Sequence, residues 1–251
     1  MHRDEAESVV GPGRWTGRLF SLVAFAEPVA DYAREKKWAN EVVPGLVVGD
    51  AVHLQTPRGH RKFLALFTPV GGRAAIIVHG MGIHPDWAMI GTLRTELADR
   101  GFATLSDPDA GAGRGRPERS LSAHLSGSGR AHCPGRRFPQ GKGLHAMAIV
   151  SHSMGSRRSH GYPSGEPDGA MKSWASLGLQ QDDYAKLKLP VLDLYGDNDL
   201  PPVLMGAGRR KQSLAASHSR QLMIHRADHF HTGHEREMVE AVTVFLDETL
   251  K

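Results

Sequence analysis

The stretch His145-Ala146-Met147-Ala148-Ile149-Val150-Ser151-His152-Ser153-Met154-Gly155 constrains this chain more than any other. Ala148-Ile149-Val150 reads as the end of a short buried strand. Ser151-His152-Ser153-Met154-Gly155 then has the small-x-Ser-x-Gly spacing of a strand that turns sharply into a helix. The spacing has a steric cause: the central residue sits in a strained turn, so the residues two before and two after must be small where strand and helix backbones nearly touch. Ser151 stands where the demand favours glycine, and it is small enough. Alone the pentapeptide is a weak signal in a chain rich in Ser and Gly. Its weight comes from three further segments in the right order.

The 251 residues suit one large α/β domain able to bury a sizeable core. No apolar run is long enough to cross a bilayer, so stable membrane insertion is not expected. The single cysteine, Cys133, excludes a disulfide framework within the chain and reads as a free structural thiol. The net charge of +4 is local. Residues 107–142 carry seven Lys/Arg and three Asp/Glu, an excess of four that leaves the remainder neutral. No basic face spreads over the fold, which sets nucleic-acid binding aside. Near the start, Arg14 and Arg18 precede Leu19-Phe20-Ser21-Leu22-Val23-Ala24-Phe25-Ala26, which ends in an Ala-x-Ala pattern. For residues 1–30 a secretory signal peptide and a plain N-terminal helix both stay open. The first makes the protein periplasmic or secreted, the second cytoplasmic. Residues 31–251 are expected to form one domain.

Along that domain, residues 31–40 read as a charged helix. Leu46–Thr56 and Lys62–Thr68 read as strands of a hairpin, with turn chemistry in Pro57-Arg58-Gly59. Ala74–Val78 is a continuous apolar run of the kind buried in a parallel sheet. It is followed by His79-Gly80-Met81-Gly82. Trp87–Arg100 carries Ile90, Leu93 and Leu97 at helical spacing, with Gly101 as the stop. A strand begins at Phe102. After Ser153 come a short helix stopped by Gly161, Pro163 and Gly165, and strands over Trp174–Leu179, Leu189–Tyr195 and Gln221–Ile224. Glu237–Leu250 is an amphipathic helix through Val239, Val242, Phe245 and Leu246. Strands alternating with helices predict a three-layer αβα sandwich, its sheet mostly parallel, with an N-terminal antiparallel hairpin.

One segment breaks the pattern. Residues 107–142 contain no Val, Ile, Met, Tyr or Trp and are crowded with Gly, Arg, Pro and Ser. Structureless insertions this long are uncommon inside a compact domain. Two readings stand: an irregular insertion, and a segment translated out of frame. Codons for Asp107-Pro108-Asp109-Ala110-Gly111-Ala112-Gly113, read one nucleotide later, can spell Ile-Gln-Met-Pro-Val-Leu-Ala, which would complete the strand begun at Phe102. Residues 129–142 read the same way can spell a helix. Codons in the gene that cannot give these residues in the shifted frame end the second reading.

A serine hydroxyl is a poor nucleophile at neutral pH. It needs a base within hydrogen-bond reach, and the base needs an acid to orient it. In α/β sheets ligands meet the carboxyl ends of strands. Here those ends present Ser153, then Asp197 and Asp199, then His229 in Ala227-Asp228-His229. This Ser…Asp…His order, over roughly residues 74–251 apart from the irregular segment, resembles the α/β-hydrolase superfamily, and most closely its small bacterial esterase, lipase and dienelactone-hydrolase-like members. The resemblance implies the α/β-hydrolase fold, Ser153 as nucleophile, His229 as base, and Asp199 as the acid closing the turn Gly196-Asp197-Asn198-Asp199, with Asp197 as the alternative. It also implies an oxyanion site made by the backbone N–H groups of Met81 and Met154, a small acyl-ester substrate and no cofactor. His225, His231 and His234 are rivals to His229.

Two other readings compete. The cluster His225, Asp228, His229, His231 and His234 is dense enough to suggest metal ligands, although no second cluster at another strand end completes a site, and no metal is expected. A non-catalytic or inactivated protein on the same scaffold is the other. Specificity is expected from loops over the strand ends, notably residues 83–87 and 200–219. Arg209-Arg210-Lys211 reads either as a greeting for an anionic substrate or as a solvated helix face. Oligomeric state is left open.

Overall fold

The computed structural model describes residues 32–55, 62–107, 131–132, 144, 146–160, 171–180 and 182–251. The leader-like run at 14–26, the hairpin turn at 57–59, Cys133, the stop signals at 161–165 and nearly all of the irregular segment lie outside them.

The strands are β1 (Asp50–Gln55), β2 (Lys62–Thr68), β3 (Arg73–Val78), β4 (Phe102–Asp107), β5 (Ala131–His132), β6 (Ala146–His152), β7 (Met171–Leu177), β8 (Val191–Asn198) and β9 (Arg220–Asp228). They form one sheet in the order β5-β1-β2-β4-β3-β6-β7-β8-β9. β1 and β2 pair antiparallel, and β2 meets β4 antiparallel. From β4 onward every neighbouring pair is parallel. Helices α1 (Tyr32–Val42), α2 (Ala88–Asp99), α3 (Met154–Ser159), α4 (Pro201–Gln212) and α5 (Glu235–Thr249) flank it.

The apolar run at 74–78 is continuous because both of its faces are covered. Ala75 and Ile77 pack on α2 and α5 through Leu93, Leu97, Val242 and Phe245. Ala74, Ile76 and Val78 join the opposite core with Trp174, Tyr184 and Leu187. β6 is buried along its whole length. The chain runs from β3 outward to β4 and then returns to the other side of β3 as β6. Open α/β sheets bind ligands at such a reversal of strand order, at the carboxyl ends of the strands, here those of β3 and β6.

Two expectations change. Residues 200–219 are not mainly a loop: 201–212 form α4, with prolines in its first turn. Proline is favoured there because its missing N–H would have no helical partner and its φ is already helical. Arg210 neither faces solvent nor waits for an anion. It is fully buried, donating through Nε to Asp193 at 3.0 Å and through Nη1 to the Val203 carbonyl at 2.9 Å. Tyr184 Oη at 2.7 Å and Gln221 Nε2 at 2.7 Å also donate to Asp193.

Candidate active site

The turn from β6 into α3 is as tight as the spacing requires. Ser153 has φ 54° and ψ −118°, a strained conformation for a residue with a Cβ. Its N–H donates to the Leu177 carbonyl at 2.8 Å, which pins the turn to the end of β7. At Gly155 any Cβ would stand 2.5 Å from the carbonyl oxygens of Val78 and His79, so only glycine lets α3 leave along β3. Ser151, at the other small position, is buried, and its Oγ accepts from Trp174 Nε1 at 2.7 Å. Serine therefore has a partner there that glycine would not supply.

Ser153 Oγ lies 2.8 Å from His229 Nε2, and His229 Nδ1 lies 2.5 Å from Asp199 Oδ1. A carboxylate accepts, so Nδ1 donates to Asp199, and Nε2 faces the serine hydroxyl. Both His229 and Asp199 are buried. Asp199 Oδ1 accepts a second bond from the Leu200 N–H at 2.7 Å, which fixes the carboxylate at the entry to α4. Phe230 packs edge-on to the His229 ring at 5.3 Å, and Trp87 packs on Phe230 at 5.0 Å.

The other carboxylate of the turn has a different partner. Asp197 accepts from His225 Nδ1 at 2.5 Å in an exposed pair. β8 continues to Asn198, so Asp197 and Asp199 leave the strand two residues apart, and the second of them faces His229. The remaining imidazoles diverge: His234 approaches Glu237 at 3.6 Å, and His231 is fully buried with neither ring nitrogen hydrogen-bonded among the described residues. Burial holds the His231 pKa down to about 4 against the pull of Asp199 and Asp228. The described residues hold no group of three His, Cys, Asp or Glu placed to bind a metal.

The loop after β3 abuts the serine. A Cβ on Gly80 would stand 3.1 Å from Ser153 Cβ, and Met81 follows with its side chain largely exposed. Met154 is the first residue of α3. His79 is buried, donates through Nδ1 to the Gly80 carbonyl at 2.7 Å, and meets Trp38 of α1 edge-on at 5.5 Å. Two residues that spacing did not single out complete the surroundings. Gly178, after β7, runs directly beneath the His229 ring: a Cβ there would meet His229 Cε1 at 2.9 Å. A glycine closing a buried strand was the available signal. His152, beside the serine, is buried against the His229 ring at 4.7 Å. Nothing in its flanking sequence marks this contact.

Comparison with known proteins gives the following. A family model described as "Protein of unknown function (DUF3530)" matches residues 28–131. No curated protein matches the chain. Among solved structures, the esterase domain of a Rhodothermus marinus protein superposes with TM-score 0.63 at 12% identity, covering 80% of this chain and 99% of its own. A dienelactone hydrolase from Anabaena variabilis gives TM-score 0.61 at 18% identity, covering 80% and 98%. An α/β serine hydrolase without a lid from Xanthomonas campestris gives 0.61 at 14%, covering 81% and 95%. Sheet order, crossovers and these superpositions agree that the chain has the α/β-hydrolase fold.

Proposed function

We propose that the protein is a serine hydrolase that cleaves a carboxylic ester or related acyl substrate. The observation that carries this reading is the continuous line Ser153 Oγ, His229 Nε2, His229 Nδ1, Asp199 Oδ1, with separations of 2.8 and 2.5 Å. Ser153 attacks the acyl carbon as His229 takes its proton. Asp199 orients the imidazole and stabilises its cationic form. The negative charge that develops on the carbonyl oxygen is met by the backbone N–H groups of Met81 and Met154. His229 then protonates the leaving alcohol, an acyl-Ser153 ester remains, and water activated by His229 releases the acid. No cofactor enters these steps. The esterase and dienelactone-hydrolase structures that share the fold favour an acyl substrate.

The test is covalent labelling by an active-site-directed fluorophosphonate. Labelling of the wild-type protein and none of Ser153→Ala is the expected result. A folded wild-type protein that stays unlabelled refutes the reading. A panel of acyl esters of graded chain length then ranks substrates.

A further inference from the structure

Consecutive residues of the β6–α3 turn hold the same histidine. Ser153 Oγ meets the His229 ring at 2.8 Å, and His152 Nε2 meets the His229 backbone carbonyl at 2.9 Å. A carbonyl only accepts, so His152 is the Nε2–H tautomer, and its Nδ1 has no hydrogen bond among the described residues. The contact spans a long way. β6 and β9 are separated in the sheet by β7 and β8, about 14 Å at ordinary strand spacing, and His152 and His229 are 77 residues apart in sequence. On its other side the ring lies against the loop after β3, with Nδ1 3.0 Å from where a Gly80 Cβ would stand.

Resting on the Ser153–His229–Asp199 reading, we propose that His152 is a positioning residue that tethers the His229 backbone and keeps the base in place while Ser153 is acylated. The serine–imidazole hydrogen bond is lost once Oγ is esterified, and no proton of Ser153 is then left to hold the ring. The His152–carbonyl bond involves no reacting atom and persists through both halves of the cycle. His152 is suited to this because it stays uncharged beside a ring that becomes cationic. Burial brings its pKa down to about 3, the neighbouring His229 and His231 push the same way, and Asp199 only partly opposes them.

The experiment uses the full chain. Wild type, His152→Phe, His152→Asn and His152→Gln are compared by fluorophosphonate labelling rate and by p-nitrophenyl acetate turnover, with thermal melting as the control for folding. The phenyl ring keeps a flat ring in place, slightly larger than the imidazole, and removes the donor. The asparagine amide is too short to reach the carbonyl, and the glutamine amide places a donor where Nε2 was. Small misplacements of a catalytic group cost up to about a hundredfold, so His152→Phe is expected to lose about tenfold or more in kcat, with KM falling in parallel as deacylation becomes limiting, and His152→Gln to recover most of the loss. The acyl-Ser153 adduct of His152→Phe should accumulate and be visible by mass spectrometry. Wild-type kcat and labelling in folded His152→Phe, or a glutamine variant no better than phenylalanine, overturns the proposal. If His152→Phe does not fold, His152→Asn takes its place, and failure of both to fold assigns the residue to the core and overturns it as well. An unlabelled wild-type protein refutes the hydrolase reading itself and is distinguishable from all of these.

Discussion

At the residue scale the sharpest question is which carboxylate would orient His229 in the proposed triad. Asp197 and Asp199 are two positions apart at the end of one strand, and each has its own histidine. Asp199→Asn should lower kcat by roughly 10⁴, since the amide can donate to Nδ1 and so favours the wrong tautomer. Asp197→Asn, which breaks an exposed pair, should leave kcat within about threefold because such pairs contribute little. Equal effects in the two variants, measured with one acyl ester, contradict the assignment. Ser151 offers a stability test independent of function. Ser151→Ala leaves the buried Trp174 indole N–H without its acceptor, a loss of about 1–3 kcal/mol to be read from urea denaturation. The sequence announced Ser153, because its neighbours must be small for steric reasons that act within five residues. Whether Asp197 or Asp199 faces His229 was not legible in the same way. It depends on where β8 stops, and strand ends are set by pairing with β9.

At the scale of elements, the turn between β6 and α3 and the helix α4 show opposite relations to sequence. The turn was readable from local spacing. α4 was obscured because its face is set by one buried ion pair rather than by an apolar stripe: only Val203, Ala207 and Arg210 are buried. A charged triplet gives no sign that its middle member turns inward to meet Asp193 on β8. Arg210→Met should therefore destabilise by about 3–5 kcal/mol, because Asp193 is left buried and uncompensated. The double variant Arg210→Met with Asp193→Asn should recover part of that loss, since it removes both charges and keeps an acceptor for Tyr184 Oη. Denaturant midpoints of the two variants separate this account from simple loss of packing, in which the double variant would be the worse.

At the scale of the whole molecule, two buried histidines link the packed state to pH. His152 and His231 have pKa values of about 3 and about 4, both below the ordinary 6.5, because burial penalises the charged imidazole. Below pH 6.5 the unfolded chain takes up these protons and the folded chain does not, so stability falls as pH drops from 6.5 toward 4. Each such histidine contributes a slope of up to about 1.4 kcal/mol per pH unit over that interval. His231→Leu should show a shallower loss of urea midpoint between pH 7 and pH 5 than wild type; parallel curves would contradict it. What the sequence determined by itself was everything with a short period or a local steric cause: the strand–helix alternation, the doubly buried apolar runs, the tight turn around Ser153 and the order in which candidate side chains leave the strands. What only the tertiary structure decided was pairing across distance: Asp199 on His229, Asp197 on His225, Arg210 on Asp193, and His152 on the His229 carbonyl. Those pairs join strands and helices brought together by sheet order, and sequence spacing carries no record of which side chains a parallel sheet sets face to face at its carboxyl edge.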